Sequence, residues 1–147
     1  MKKQCIMFLV CAMAGILAAQ EMEKQSSSEL TVAESVLCEN VEDRTPVGEA
    51  TTFPETIGKV YFFTAIEGAT QPTQIKHVWY YQGNQMADVS LTIQYPRHRT
   101  WSYKTILPEW TGEWSVEVID ENATVLKKAS FVIGEKQTTE AESETEE

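Results

Sequence analysis

The chain has 147 residues, 23% of them charged, and a net charge of −10. That length suits one domain, and the charged fraction excludes a collagen-like or wholly disordered chain. The acidity argues against bulk attraction to nucleic acid or to an anionic lipid surface.

Lys2 and Lys3 precede an apolar run from Cys5 to Leu17, followed by Ala18, Ala19 and the polar Gln20 and Glu21. A basic start, an apolar stretch and small residues form an export signal, and the run is short for a membrane span of roughly 20 residues. Residues 1–19 are therefore expected to be a signal peptide cleaved after Ala19. The expected location is a bacterial periplasm or cell surface. Lipidation at Cys11 and retention of the segment as an anchor stay open, and only in those cases is a membrane a partner.

Residues 20–35 are polar and carry three consecutive Ser, as a flexible linker does. Residues 135–147 hold six Glu and one Lys, with nothing apolar larger than Ala. An acidic, disordered, solubilising tail is expected there, with a docking segment as the alternative.

Between them, residues 36–134 alternate as strands do. Val36-Leu37-Cys38 with Val41 starts the series. Lys59 to Ile66 has Val60, Phe62, Thr64 and Ile66 on one face and Tyr61, Phe63 and Ala65 on the other, so both faces should be covered. Gln74 to Tyr81 alternates Ile75, His77, Trp79 and Tyr81 against Lys76, Val78 and Tyr80. Gly83-Asn84 is a hairpin signal. Met86 to Tyr95 returns with Ala87, Val89, Leu91, Ile93 and Tyr95 toward the core, and Pro96 ends it. Arg99 to Ile106, Gly112 to Ile119 and Thr124 to Ile133 complete the set. Seven strands at roughly ten-residue spacing predict an all-β fold, an immunoglobulin-like antiparallel β-sandwich of about seven strands.

With Cys5 and Cys11 in the signal, Cys38 stands alone and has no intramolecular disulfide partner. A small buried apolar residue is expected there. An intermolecular bridge or a lipid attachment is the alternative.

The segments Cys38 to Gly48 (CENVEDRTPVG), Phe53, Tyr61 to Gly68, Ile75 to Gly83 (IKHVWYYQG), Val89 to Ile93, Arg97 to Asp120 and Val125 to Ile133 carry a family likeness. In order and spacing the chain resembles the bacterial domain of unknown function 2914. The pattern tends to have Gly in the last hairpin where this chain has Ala123, and Asn122 is expected to take the left-handed position instead. The resemblance implies a small exported or membrane-linked β module. It implies no reaction and no active site.

A nucleophilic triad needs a base, and only His77 and His98 offer one. His77 alternates with apolar residues as a sheet-face histidine would. His98 sits between two Arg near a turn. Two His without nearby carboxylates or thiolates make no metal site, so no cofactor or metal is expected. The stretch from Arg97 to Asp120 is the one surface candidate. Arg97, Arg99, Trp101, Tyr103, Lys104 and Trp110, with His77, are the candidate binding residues, a platform for stacking and for carboxylate recognition by Arg. The plainer alternative puts Trp101 and Trp110 in the core or at its end, with the cations paired to Glu109, Glu113 and Glu117 across strands. The expected function is a non-enzymatic accessory module binding an envelope protein or glycan. A structural component acting through sheet edges or Cys38 is the second reading, and a small hydrolase the remote one.

Overall fold

The structure, a computed structural model, describes residues 29–135. The expected signal peptide, the linker up to residue 28 and the tail from residue 136 lie outside the described residues.

Among the described residues nine strands form two sheets: β1 (Thr31–Glu42), β2 (Thr45–Glu49), β3 (Thr52–Phe53), β4 (Lys59–Glu67), β5 (Thr73–Tyr81), β6 (Asn84–Ile93), β7 (Arg97–Thr105), β8 (Gly112–Asp120) and β9 (Val125–Ile133). One sheet has the order β2-β1-β4-β7 and the other β3-β9-β8-β5-β6. The seven long strands are those expected from alternation, arranged as an immunoglobulin-like sandwich in which β4 and β5, adjacent in sequence, lie in opposite sheets. Pairing is antiparallel except where the two-residue β3 runs parallel to β9.

The core fills the space between the sheets. Leu37, Val60, Phe62 and Ile66 point in from one side, and Ile75, Trp79, Trp114, Val116, Val118 and Phe131 from the other. Trp79 is fully buried and meets Phe62 and Phe131 edge-on, at ring separations of 6.4 and 6.1 Å. Edge-to-face contact suits the ring quadrupoles. With no disulfide between the sheets among the described residues, this burial does the holding.

Several local expectations are corrected. β1 begins at Thr31, inside the expected linker, because Leu30 is buried and Val32 pairs with Ile66 of β4. The hairpin between β5 and β6 turns at Gln82 and Gly83 rather than at Gly83-Asn84. Both turn residues have positive φ, 47° and 80°, a combination that matches the right-handed twist of the strands it joins. Tyr95 lies beyond β6 and is 59% exposed, its ring stacked on His98. In the last hairpin Ala123, not Asn122, takes the left-handed conformation, φ 61°. Asp120 Oδ1 accepts the N–H groups of Asn122 and Thr124 and so fixes the turn one residue later.

Candidate functional site

Among the described residues β7 runs along an edge of the four-stranded sheet, with β4 as its only ladder partner. Its alternation divides the candidate residues. Ser102 is buried and bonded to core residues of β5, so the set it belongs to, with Thr100 and Lys104, faces the other sheet. Arg97, Arg99, Trp101 and Tyr103 consequently face outward. The polar half of the strand is the buried half.

The outward row meets the outward residues of β4. Tyr103 lies opposite Tyr61 and Trp101 opposite Phe63. Their rings approach to 5.4 Å and to 6.5 Å, the second pair nearly parallel at 17°. Lys59 places its ammonium 4.7 Å from the Tyr103 ring centre. The far half of β1 and its hairpin also touch this face. Val41 packs on Val36, Cys38 and Phe63, a cluster that Tyr61 and Trp101 complete. Burial, together with the charge of Arg44 from that hairpin, lowers the pKa of His98. Cys38 is thus a free thiol with no exposed surface. Burial raises its pKa, as the small-apolar expectation requires.

Arg97 reaches Glu67 of β4 at 3.0 Å, not the expected Glu109, Glu113 or Glu117, because β4 and not β8 is its neighbour. Among the described residues no carboxylate lies within ion-pair distance of Arg99 or Lys104. Lys104, on the inward set, sits 5.2 Å from the Trp110 ring centre. Trp110 belongs to the loop before β8. It packs with Tyr81 and Trp114 at the end of the core, and its carbonyl accepts the Trp114 indole N–H at 3.0 Å.

His77 is elsewhere again, fully buried between the sheets. Its Nδ1 lies 2.7 Å from Ser102 Oγ and its Nε2 3.2 Å from Thr64 Oγ1. Burial pushes its pKa down to about 3. A Ser-His pair is present, but both residues are enclosed and the ring nitrogens are taken up by hydroxyls, with no carboxylate to orient them. The seven expected residues therefore occupy three places. Arg97, Arg99, Trp101 and Tyr103 share the outer face, Lys104 and Trp110 one end, and His77 the core.

Sequence reasoning missed Lys59 and Tyr61 as parts of this face. The double-sided apolar pattern of β4 carried a signal for Tyr61; nothing local marked Lys59. Two surface clefts, about 510 and 400 Å³, lie over β8 and β9 and beside the Asp120 turn, and none of the seven lines either. Among the described residues no three His, Cys, Asp or Glu gather as a metal would need.

The fold defines the class, an all-β immunoglobulin-like sandwich. The family model described as "Protein of unknown function (DUF2914)" matches residues 72–133, from β5 to β9, the later part of the stretch that carries the resemblance. No curated protein matches the chain. Among solved structures it is similar to the β-glucosidase from Listeria innocua in complex with glucose, at 10% identity and a TM-score of 0.42. That likeness covers 73% of this chain and only 16% of the glucosidase.

Proposed function

We propose that the chain is an exported, non-enzymatic binding module that holds an envelope protein or glycan through the outer face of β7. The observation that carries this is the row Arg99, Trp101, Tyr103. It sets a guanidinium without an ion-pair partner among the described residues and two aromatic rings on one outward-facing line, with Tyr103 51% exposed. Rings of this kind stack on sugars or on a partner's apolar groups, and a free guanidinium takes a carboxylate in two parallel bonds. Export rests on the sequence of residues 1–19.

The test is binding of residues 20–147 to soluble cell-wall glycans and to envelope proteins, compared with Tyr103→Ala and Arg99→Ala. Both side chains are exposed, so both variants keep the fold. A loss of about tenfold in each is expected, since a truncated anchor at an interface costs roughly 1–2 kcal/mol. Undiminished binding in both moves the site off β7.

A second reading is an assembly component that joins neighbours through its edges. The unpaired long strands β6 and β7 favour it. The buried thiol of Cys38 gives no support to a disulfide link.

A further inference from the structure

We infer that the cleft of about 510 Å³ over the start of β8 and the end of β9 is a binding site separate from the β7 face, and that its ligand is a neutral saccharide chain. The cleft lies on the outer face of the five-stranded sheet, across the core from the β7 row. The inference therefore stands independently of the reading of β7.

Parity and pairing build the cleft. Trp114 and Val116 point into the core, so Glu113 and Ser115 point out. On β9, Phe131 and Ile133 are buried, which leaves Ser130 and Val132 outward. Ser115 lies directly opposite Ser130, and two small side chains side by side make a dip in the sheet. Ridges bound the dip on both sides. Thr51 and Thr52 stand along β9, fixed where the Val132 N–H donates to Thr51 O at 2.9 Å. Gln82 and Gly83 of the β5–β6 turn stand along β8, fixed where the Gln82 N–H donates to Glu113 O at 3.1 Å.

Unspent hydrogen bonding marks this cleft. Ser115, Ser130, Thr51, Thr52 and Glu113 line it. Among the described residues none of their side chains is hydrogen-bonded to the protein. The cleft beside the Asp120 turn is the opposite case. There Asp120 Oδ1 accepts the N–H groups of Asn122 and Thr124, Glu121 accepts the Gln74 N–H, and Lys76 holds Asp88. Those polar groups serve the fold, whereas the five in the larger cleft face outward with their donors and acceptors unused.

The chemistry of the lining selects the ligand. Four hydroxyls that both donate and accept match the hydroxyls of a sugar, which do the same. Glu113 has no cation within ion-pair distance among the described residues, while Lys128, which also lines the cleft, is 4.0 Å from Glu117. The cleft is therefore unfavourable to an anion. An extended peptide is held through backbone partners, but β8 is paired on both sides and β3 covers β9 at Val132. The cleft thus offers side chains rather than backbone. Tyr80 lies beside Ser115 on the same outward face and supplies a ring for stacking on the flat side of a sugar. Glu113, Ser130, Thr51 and Thr52 are exposed, so the cleft is open, as a polymer lying across it requires.

Titration of the chain with cellohexaose and with chitohexaose, followed by calorimetry and by amide NMR shifts, tests this. At least one of them should bind saturably and shift the amides of Ser115 and Ser130. Binding should weaken about tenfold in Glu113→Ala, because a hydrogen bond to a charged group is lost. It should vanish in Ser130→Trp, which fills the dip, and stay unchanged in Tyr103→Ala. The substituted side chains are exposed, and unfolding midpoints equal to that of the parent chain show that the variants fold. Binding of neither saccharide would overturn the inference. So would undiminished binding in both Glu113→Ala and Ser130→Trp, or tighter binding of hexagalacturonate than of either neutral chain. Binding lost in Tyr103→Ala alone would overturn it too, and would leave the β7 reading standing.

Discussion

Ser102 Oγ and His77 Nδ1 lie 2.7 Å apart and join the two sheets through the middle of the core. The directions of the neighbouring bonds follow from counting protons. Thr64 donates its one hydroxyl proton to Thr100 O at 3.1 Å, so its oxygen accepts from His77 Nε2. The neutral imidazole then carries its proton on Nε2, and Nδ1 accepts from Ser102. Ser102 in turn accepts the Trp79 indole N–H at 3.2 Å. The chain of bonds is complete, and no buried side-chain polar atom among the described residues is left without a partner.

This geometry predicts a pH dependence. His77 titrates near 6.5 when unfolded and near 3 when folded, so the unfolded chain binds the proton more readily in between. Stability should hold above about pH 6.5 and fall as pH drops toward 3, with a limiting slope on the order of 1.4 kcal/mol per pH unit. Urea midpoints at pH 7.5 and 5.5 should differ measurably, and differ less in His77→Gln. Equal shifts in both proteins would show that other groups control the response.

Ser102→Ala should cost about 1–3 kcal/mol. The loss comes from leaving the Trp79 N–H and His77 Nδ1 buried without partners, not from volume. Denaturant unfolding reads it, and a cost under about 0.5 kcal/mol would mean that the core relaxes or admits a water.

Ala123 has φ 61°, a conformation that costs an L side chain on the order of 1 kcal/mol. Ala123→Gly should therefore raise stability by up to about 1 kcal/mol, despite glycine's greater freedom when unfolded. A lowered thermal midpoint would contradict it.

Cys38 is fully buried and its pKa is raised, chiefly by that burial. The thiolate is the reactive form, so a maleimide or a disulfide reagent should label Cys38 only as the fold opens. Labelling should accelerate steeply near the denaturation midpoint. Rapid stoichiometric labelling of the native protein would place the thiol at the surface.

Trp79 and Tyr103 test how the two faces of the alternation were assigned. Trp79→Ala should cost about 3–5 kcal/mol because it empties a closed site. Tyr103→Ala removes a half-exposed ring from an outer face and should cost about 1 kcal/mol or less. Comparable losses would mean that the outer aromatic layer is as integral to the fold as the core.

The seven long strands were legible because their alternation is a local property. Each strand's side chains sort by parity whatever the strand pairs with, and the breaks at Pro96, Gly83 and Gly112 are local as well. The inward faces of β5 and β8, with Trp79, Trp114, Val116 and Val118, could be read directly because apolar residues occupy them. On β7 the same logic gave two parity sets but not their direction. Ser102 faces inward because His77 and Trp79 arrive from β5 to satisfy its hydroxyl, while Thr64 of β4 donates to the Thr100 carbonyl. Those matches across 23 to 36 residues exist in no local pattern. The same holds for the site. Arg97, Arg99, Trp101 and Tyr103 share one face by parity, and the sequence by itself determined that much. Lys104 shares their strand but not their face, Trp110 and His77 belong to other regions, and Lys59 and Tyr61 join the row from β4. Sheet order decided those neighbours, and sheet order is set by burial and pairing between segments far apart in the chain.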